Sequence, residues 1–152
     1  MKKMKRRGTG RHLPERVVTN HDLARYMDTS DEWIQQRTGI LERRWVREEG
    51  GVGSADLALE AAKIALDRAG WTPGDLDLII FATLSPDLFF PGSGCLLQDK
   101  LGLSSTPAID IRQQCTGFLY GMQIADAYIK SGYANKILLA GAEVHSTGLD
   151  IS

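Results

Sequence analysis

One cysteine of this chain lies where a nucleophile would be expected. Cys115 follows the apolar run Ile109-Asp110-Ile111 by the short loop Arg112-Gln113-Gln114, and it precedes Thr116-Gly117-Phe118, which opens a helical pattern. At a helix start, unpaired backbone N–H groups and the positive end of the helix dipole favour a thiolate over a thiol. A thiolate can attack a thioester carbonyl, and nearby N–H groups can stabilise the oxyanion that forms.

The residue type alone leaves a second interpretation of Cys115 open, because a lone cysteine commonly serves as a small buried apolar side chain. The other cysteine, Cys95, lies inside the amphipathic pattern Gly94-Cys95-Leu96-Leu97, and we predict that it packs in the core. Neither cysteine belongs to a CxxC motif or a Cys/His cluster, so we predict no metal site. We expect two free thiols in a reducing compartment.

The elements that position Cys115 can be predicted from hydrophobic periodicity. Three stretches have a helical pattern that ends at or near a glycine: 55–69, 93–101 and 115–130. Three short apolar runs predict buried strands at the spacing of βαβ units: 76–82, 107–111 and 136–142. The predicted fold class is therefore α/β with a mainly parallel sheet. In such sheets reactive groups lie beyond the carboxyl ends of the strands, which is where Cys115 falls.

Two capping residues are also predicted. Ser54 is expected to cap the helix that begins near Ala55, because a serine hydroxyl can accept from the first-turn N–H groups. Asn20 is expected to cap a short helix from His21 to Met27 in the same way. The segment from Asp28 to Trp33 has the acidic and hydroxyl residues of a further capped helix start.

Composition limits the classes of partner. The 152 residues are 43% hydrophobic, enough for one sizeable core, and we expect a single domain over residues 1–152. With 18 basic and 19 acidic side chains, the net charge of -1 gives no overall field for nucleic acid or an anionic membrane. The sequence shows neither a bilayer-spanning apolar run nor the apolar stretch of a secretory signal, so we expect a cytoplasmic protein.

Two blocks of sequence carry a family resemblance. The first is Asp110-Ile111-Arg112-Gln113-Gln114-Cys115-Thr116-Gly117-Phe118. The second comprises Leu13-Pro14-Glu15 to Asn20, Asp28-Thr29-Ser30-Asp31-Glu32-Trp33-Ile34, Arg37-Thr38-Gly39-Ile40 and Glu42-Arg43-Arg44. The first block resembles the nucleophile motif of β-ketoacyl-ACP synthase III. The segments of the second block resemble the amino-terminal signature of that family, and they follow one another in the same order. The resemblance implies a thiolase-like fold with helices on both faces of the sheet, of which this chain would be the amino-terminal half.

The resemblance also implies roles for individual residues. Cys115 would be the nucleophile, and Thr29, Trp33 and Arg37 would hold the adenine nucleotide end of coenzyme A. An indole can stack on adenine, and a guanidinium can bind phosphates. A hydrophobic anchor at Trp33 and a solvated charge at Arg37 remain alternatives. Phe90 would line the acyl pocket of a partner subunit, as these synthases form homodimers, and an ordinary buried phenylalanine is the alternative there.

Two further sets of residues have open interpretations. Gly117 and Gly121 would let the helix that carries them pack against its twin in a dimer, or would mark close packing within one subunit. Of the three histidines, His12, His21 and His145, none matches the catalytic histidine of the family.

The reaction implied by the resemblance has two steps. Cys115 takes an acyl group from acyl-CoA, and the full enzyme condenses it with malonyl-ACP with loss of CO2, initiating fatty-acid synthesis without a cofactor. The catalytic histidine and asparagine belong to the second half of the family. We therefore expect this chain alone to lack the condensing step, to expose a large apolar patch, and to form a homodimer or pair with a complementing carboxy-terminal chain.

Rival functions remain within and outside this reaction class. A secondary-metabolism ketosynthase or acyltransferase would use the same Cys115 with a different acceptor. Hydroxymethylglutaryl-CoA synthases and head-to-head acyl-condensing enzymes are disfavoured, because residues 83–90 contain no glutamate to match their base. A non-catalytic partner subunit of a complete synthase is the alternative from another class, although it would not need a thiol at this position.

Overall fold

The computed structural model of the protein describes residues 3–46 and 51–150. Its α-helices within this part of the chain are α1 (Asn20–Leu23), α2 (Asp31–Thr38), α3 (Ser54–Ala69), α4 (Ser93–Lys100) and α5 (Gly117–Ser131). Its strands are β1 (Arg16–Thr19), β2 (Glu42–Trp45), β3 (Leu78–Ala82), β4 (Ala108–Ile111) and β5 (Ile137–Gly141). None of the helices in these two ranges is long and apolar enough to cross a membrane.

Contacts divide the chain into two compact units. The first unit is the described part of Met1–His12 together with Gly53–Glu143, and the second is the described parts of Leu13–Val52 and Val144–Ser152. Two such units are compatible with one domain or with two. The single domain expected over residues 1–152 therefore stays a prediction.

A parallel three-stranded sheet in the order β4-β3-β5 organises the first unit. In its register Ile80 of β3 is paired with Ile109 of β4 and with Leu139 of β5. Every residue of the central strand β3 is buried. A strand that is covered on both faces explains why residues 76–82 are almost continuously apolar, which was the signal for a buried strand.

Helices cover both faces of this sheet. Because successive strand side chains point to opposite faces, Phe81 packs with Ala62 of α3 and Leu97 of α4, whereas Ile80 packs with Ala125 of α5. Removing an aliphatic or aromatic side chain of this size from water contributes about 1.5–3 kcal/mol. The predicted α/β class, with a parallel sheet between helices, is confirmed.

The start of α3 differs from the prediction. Gly53 occupies the N-cap, and its N–H donates to Asp56 Oδ2 over 3.0 Å. Ser54 is 1% exposed and its hydroxyl donates to the Ser85 carbonyl oxygen over 2.6 Å, so its predicted capping role is wrong. The carboxylate of Asp87 takes over part of that role, because both its oxygens accept from the Ala55 N–H, at 3.2 and 3.1 Å.

The amino-terminal residues of the first unit lie along α3 without forming a helix or strand of their own over 3–12. A Cβ atom at Gly8 would overlap the Ala65 carbonyl oxygen, and one at Gly10 would overlap that of Ala61. The Nη1 group of Arg68 donates to the Thr9 carbonyl oxygen over 2.9 Å. Glycine is thus required here by the close approach of two backbones rather than by an unusual φ angle.

The second unit contains the antiparallel pair β1 and β2, in which Val18 is opposite Arg43. Thr19 caps α1 in a reciprocal arrangement, since its Oγ1 accepts from the Asp22 N–H and Asp22 Oδ2 accepts from the Thr19 N–H. The predicted cap at Asn20 is therefore wrong. Asn20 is instead buried inside the unit, at 1% exposure.

Candidate active site

Cys115 lies at the carboxyl edge of the parallel sheet. It belongs to a single-turn 3-10 helix, Gln114–Thr116, between the end of β4 and the start of α5. Its side chain is an exposed free thiol. The predicted position between a strand and a helix is confirmed, although α5 begins at Gly117 rather than at Cys115.

The backbone before the cysteine explains this offset. Gln114 has a φ of 45°, the one positive φ outside glycine among residues 3–46 and 51–150. A left-handed conformation costs a non-glycine residue about 1–2 kcal/mol, and it interrupts the regular helical hydrogen-bond pattern. Strain of this kind concentrates at functional sites, where it aims a side chain. Cys115 is thus presented on a sharp turn at the mouth of α5.

The first turn of α5 begins beside Cys115 without a side-chain cap. Thr116 is the N-cap residue, and its hydroxyl donates to the Gln113 carbonyl oxygen over 3.0 Å instead of accepting from the helix. The backbone N–H groups of a helix start carry the positive end of its dipole. They are the groups that could stabilise negative charge formed next to the thiol.

Two glycines bring α5 close to its own sheet. A Cβ atom at Gly117 would lie 3.4 Å from Ala82 Cβ, and one at Gly121 would lie 2.5 Å from Leu139 Cδ1. Both positions therefore face the strands of the same chain. Close packing within one subunit is confirmed for these glycines, whereas packing of their helix against a twin in a dimer stays a prediction.

The loop between β3 and α4 lies at the same edge of the sheet; we call residues 84–92 the aromatic loop. Phe89 and Phe90 in this loop are 89% and 87% exposed. The guanidinium carbon of Arg112 lies 5.3 Å from the centroid of the Phe89 ring. The aromatic loop therefore contacts the segment that leads from β4 to Cys115. Phe90 is not buried by the described residues of this chain, and its contact with a partner subunit stays a prediction.

A carboxylate that was not predicted for this edge comes from the residue two positions after β5. Glu143 Oε1 accepts from the Leu84 N–H over 2.7 Å, and its Oε2 accepts from the Ser85 N–H and hydroxyl over 3.0 and 2.6 Å. Residues 83–90, the segment considered for a glutamate in the sequence, do not include Glu143. The predicted parallel topology could have indicated Glu143, since the carboxyl ends of neighbouring parallel strands meet at one edge of the sheet.

Cys95 differs from its prediction. It is exposed, so the expected core packing is wrong. The buried face of α4 consists of Ser93, Gly94 and Leu97, and Cys95 points away from this face. An amphipathic pattern of this length leaves the phase of the helix uncertain by about one residue, or about 100°.

The residues predicted to hold coenzyme A lie in the second unit. Trp33 and Arg37 are one turn apart on α2, and the Arg37 guanidinium carbon lies 5.7 Å from the Trp33 ring centroid. Trp33 is 54% exposed, so it is not a buried hydrophobic anchor. Thr29 precedes the helix, and its Oγ1 is buried without a hydrogen-bond partner. The structure thus brings Trp33 and Arg37 together on an accessible face.

Hydrogen bonds around Asp31 hold the start of α2. Asp31 accepts from Gln35 Nε2 and from Asn20 Nδ2, both over 2.8 Å. These bonds, with that of Gln35 the larger cause, lower the pKa of the Asp31 carboxyl below its usual value. Asn20 also donates to the Ile40 carbonyl oxygen over 2.8 Å, so one buried amide joins both ends of the α2 segment.

A metal centre is not formed by the described side chains. Within residues 3–46 and 51–150, no group of three or more His, Cys, Asp and Glu residues is placed to hold a metal ion. The groups described at the edge that holds Cys115 are a thiol, backbone N–H groups and an aromatic loop.

Sequence and structure comparisons agree on one kind of relative. A family model described as 3-Oxoacyl-[acyl-carrier-protein (ACP)] synthase III matches residues 109–152. The Beta-ketoacyl-[acyl-carrier-protein] synthase III of Methylococcus capsulatus is 48% identical over 143 residues, which are 94% of this chain and 44% of that protein. The chain thus spans less than half the length of this curated relative.

Solved structures give the same result. The crystal structure of 3-oxoacyl-[acyl-carrier-protein] synthase III from Aquifex aeolicus matches with a TM-score of 0.90 and 48% identity, over 96% of this chain and 46% of that one. The priming β-ketosynthase of the R1128 polyketide pathway matches with a TM-score of 0.87 and 26% identity, over 99% and 46%. The predicted resemblance to one half of such a synthase, and the thiolase-like fold, are confirmed.

Proposed function

We propose that this chain, which corresponds in sequence and fold to the amino-terminal half of β-ketoacyl-ACP synthase III, supplies the acyl-accepting nucleophile of such an enzyme and that Cys115 is that nucleophile. The observation that carries the proposal is the exposed thiol on the strained turn between β4 and α5. A cysteine kept only for packing would not need a strained neighbour at the start of a helix.

The step proposed for Cys115 is transfer of an acyl group between thiols. Its thiolate attacks the thioester carbonyl carbon of acyl-CoA, a new carbon–sulfur bond forms, and the carbonyl oxygen becomes an oxyanion. Backbone N–H groups at the start of α5 stabilise that charge. Collapse breaks the bond to coenzyme A, whose thiolate takes up the proton that Cys115 has lost. No electrons are gained or lost in this exchange, so the reaction requires no redox cofactor.

We assign recognition of the coenzyme A nucleotide to α2. The exposed face of Trp33 can stack on adenine, and Arg37 can bind phosphate oxygens through its planar guanidinium. The buried Thr29 hydroxyl, which has no protein partner, can bond a polar edge of the ligand if that segment opens to it. A solvated charge remains the alternative for Arg37.

The second step and the partners are proposed for the whole protein. Malonyl-ACP loses CO2, the resulting enolate attacks the Cys115 thioester, a carbon–carbon bond forms, and the thiolate of Cys115 leaves. The groups that stabilise the enolate are those that the resemblance assigns to the second half of the family. Acyl carrier protein as a substrate, a homodimer with Phe90 in the partner's acyl pocket, and a cytoplasmic location belong to the same proposal.

The first test is the intact mass of the chain after incubation with acetyl-CoA or a longer acyl-CoA. We expect an acyl adduct in the unmodified chain and in Cys95→Ser, and none in Cys115→Ala. Both cysteines are exposed, so Cys95→Ser is the matched control for simple thiol accessibility. An adduct that persists in Cys115→Ala, or the absence of an adduct in a folded chain, would count against the proposal and favour a non-catalytic partner subunit.

A secondary-metabolism ketosynthase is the second candidate. It is favoured by the match of the R1128 priming β-ketosynthase over 99% of this chain. The acceptor separates the two candidates: condensation by the whole protein with the malonyl-ACP of fatty-acid synthesis would favour fatty-acid initiation, and transfer only to a different acceptor would favour the second.

A further inference from the structure

The aromatic loop is held by carboxylates along its first half, whereas the two phenylalanines that follow are exposed. Near its start, Glu143 accepts the N–H groups of Leu84 and Ser85. Further along, Asp87 Oδ2 accepts from the Ser93 hydroxyl over 2.6 Å and also binds the start of α3. Between these anchors and the start of α4 lie the two exposed phenylalanines. A loop fixed in this way presents its aromatic rings in one arrangement without burying them.

The Glu143 anchor joins the ends of β5 and β3, and β3 is the strand next to β4, from which the cysteine segment leads. Glu143 follows β5, whereas Leu84 follows β3, and the Ala142 N–H donates to the Ala82 carbonyl oxygen over 3.3 Å just before the carboxylate contacts. On the other side of β3, the Thr83 N–H donates to the Ile111 carbonyl oxygen over 3.1 Å. The origin of the aromatic loop is thus tied to both neighbouring strand ends.

The tip of the loop has its own contact with the cysteine segment. Arg112 lies in that segment, and its guanidinium stacks over Phe89 at 5.3 Å. An arginine over an aromatic face is an attractive interaction that also fixes the ring plane. A shift of the loop would therefore change the surroundings of any group attached to Cys115.

We propose that Glu143 is a positioning residue that fixes the aromatic loop beside Cys115 and thereby sets which tails, by length and apolarity, are accommodated on that thiol. The inference rests on the proposed acylation of Cys115 and adds a residue from β5 to it. Glu143 acts through Phe89 and Arg112 and takes no part in bond making.

Glu143→Gln is the informative substitution, because the side chain keeps its shape. An ionised carboxylate has two accepting oxygens, whereas a carboxamide has one oxygen and an NH2 group that can only donate. One of the two loop N–H groups would then face a donor. Glu60→Gln is the matched control, because Glu60 is a partly exposed residue of α3 whose carboxylate pairs with Lys63 instead of with the loop.

The first measurement combines amide hydrogen exchange with acylation rates. In Glu143→Gln we expect exchange at Leu84 and Ser85 to be about tenfold faster, equivalent to roughly 1.4 kcal/mol for a lost charge-assisted bond. The ratio of Cys115 acylation rates for octanoyl-CoA and acetyl-CoA should change several-fold, while Glu60→Gln leaves both unchanged. Faster exchange with an unaltered ratio of acylation rates would show that Glu143 is merely structural. Unaltered exchange would show that Glu143 does not anchor the loop. Either result overturns the inference.

The second measurement does not depend on coenzyme A. N-octylmaleimide and N-ethylmaleimide alkylate thiols directly, and peptide mapping reports Cys115 and Cys95 separately. We expect the octyl-to-ethyl rate ratio to be higher at Cys115 than at Cys95, and Glu143→Gln to lower it at Cys115 alone. Equal ratios at the two cysteines of the unmodified chain, or no response to the substitution, would overturn the inference.

The two experiments also separate the inference from the proposed function. If no acyl-CoA forms an adduct, the proposed function fails and the maleimide ratios still decide the role of Glu143. Should Glu143→Gln not fold, Ser85→Ala removes one bond to the same carboxylate, and it should shift the ratio in the same direction by a smaller factor.

Discussion

At the scale of single residues, α2 shows how an exposed aromatic side chain can be ready for a ligand. The Trp33 ring is held by the Arg37 guanidinium on one side and remains 54% exposed. Holding the ring before binding lowers the entropy that a stacked ligand would have to remove. A preformed aromatic and cationic pair of this kind suits a purine that carries phosphates.

The residue-scale prediction concerns coenzyme A affinity. Trp33→Ala should weaken coenzyme A binding about tenfold or more, because base stacking on an aromatic ring is worth about 1–3 kcal/mol. Arg37→Lys should weaken it less, since an ammonium keeps the charge but loses the planar fork. Isothermal titration calorimetry checks both, with exposed Gln36→Ala of the same helix as control. Equal affinities for Trp33→Ala and Gln36→Ala would remove α2 from the proposed binding site.

Some residue positions could be predicted from the sequence and others could not. Cys115 was found because its neighbours define a strand end and a helix start, and the pairing of Trp33 with Arg37 follows from helical spacing. The contact of Arg112 with Phe89 and the reach of Glu143 to the aromatic loop depend on loop conformations and on which strands are neighbours. Residue spacing along the chain does not contain that information.

At the scale of elements, an ion pair holds the start of β5 in the first unit. Lys136, just before β5, pairs through Nζ with Asp75 Oδ1 over 2.6 Å. Asp75 also accepts from the Thr72 N–H over 2.8 Å. The hydrogen bond from Lys136, followed by those from Thr72, lowers the pKa of Asp75 to about 2.

A pH dependence follows from this shift. Because the folded-state pKa of Asp75 is below its usual value of 3.8, Asp75 contributes stability above about pH 4, and that contribution is lost as pH falls towards about 2. Asp75→Asn and Lys136→Gln should therefore each make the unfolding midpoint fall less steeply between pH 4 and 2. Urea titrations across this range measure it. Curves parallel to that of the unmodified chain would show that the ion pair does not act on stability.

A second prediction at this scale concerns the contact of the amino-terminal residues with α3. Gly10→Ala should lower the free energy of unfolding by about 1–3 kcal/mol, because the added methyl group would overlap a helix carbonyl oxygen and force the backbones apart. Gly74→Ala is the matched control, since its Cβ would meet Thr72 Oγ1 only at 3.9 Å, and it should stay within about 0.5 kcal/mol. Denaturant unfolding checks both. Equal effects would mean that residues 3–12 do not pack on α3.

The elements also differ in how well they could be predicted. In the first unit, long periodic stretches closed by Gly70 and Gly132 gave helices whose ends agree with the structure within about two residues. In the second unit, β2 has the sequence Glu42-Arg43-Arg44-Trp45, in which polar side chains hide the strand signal. Short strands of this kind form because a partner strand is present, so local sequence does not specify them.

At the scale of the whole molecule, apolar side chains remain exposed around the candidate nucleophile. On α5, Leu119 is 61% exposed and Phe118 is 47% exposed, and on the aromatic loop Phe90 is 87% exposed. All three belong to the first unit. The two on α5 follow Cys115 in sequence, and Phe90 is next to Phe89, whose ring contacts Arg112. Several large apolar side chains exposed close together mark a surface that further polypeptide covers. This chain matches only 44% of the Methylococcus capsulatus relative and 46% of the Aquifex aeolicus structure. Both relatives therefore contain further polypeptide that is available to cover a surface of this kind.

The final prediction is that this surface drives association of the chain. The double variant Phe90→Ser with Leu119→Lys should shift the protein from oligomers to monomers in size-exclusion chromatography with light scattering, and should reduce binding of an apolar dye several-fold. Thermal stability should hold, because both side chains are more than half exposed and contribute little to the core. Leu41→Lys is the matched control, as it adds the same charge at a 63% exposed leucine of the second unit. A monomeric unmodified chain with little dye binding, or an equal effect of Leu41→Lys, would show that the exposed side chains around Cys115 are not an association surface.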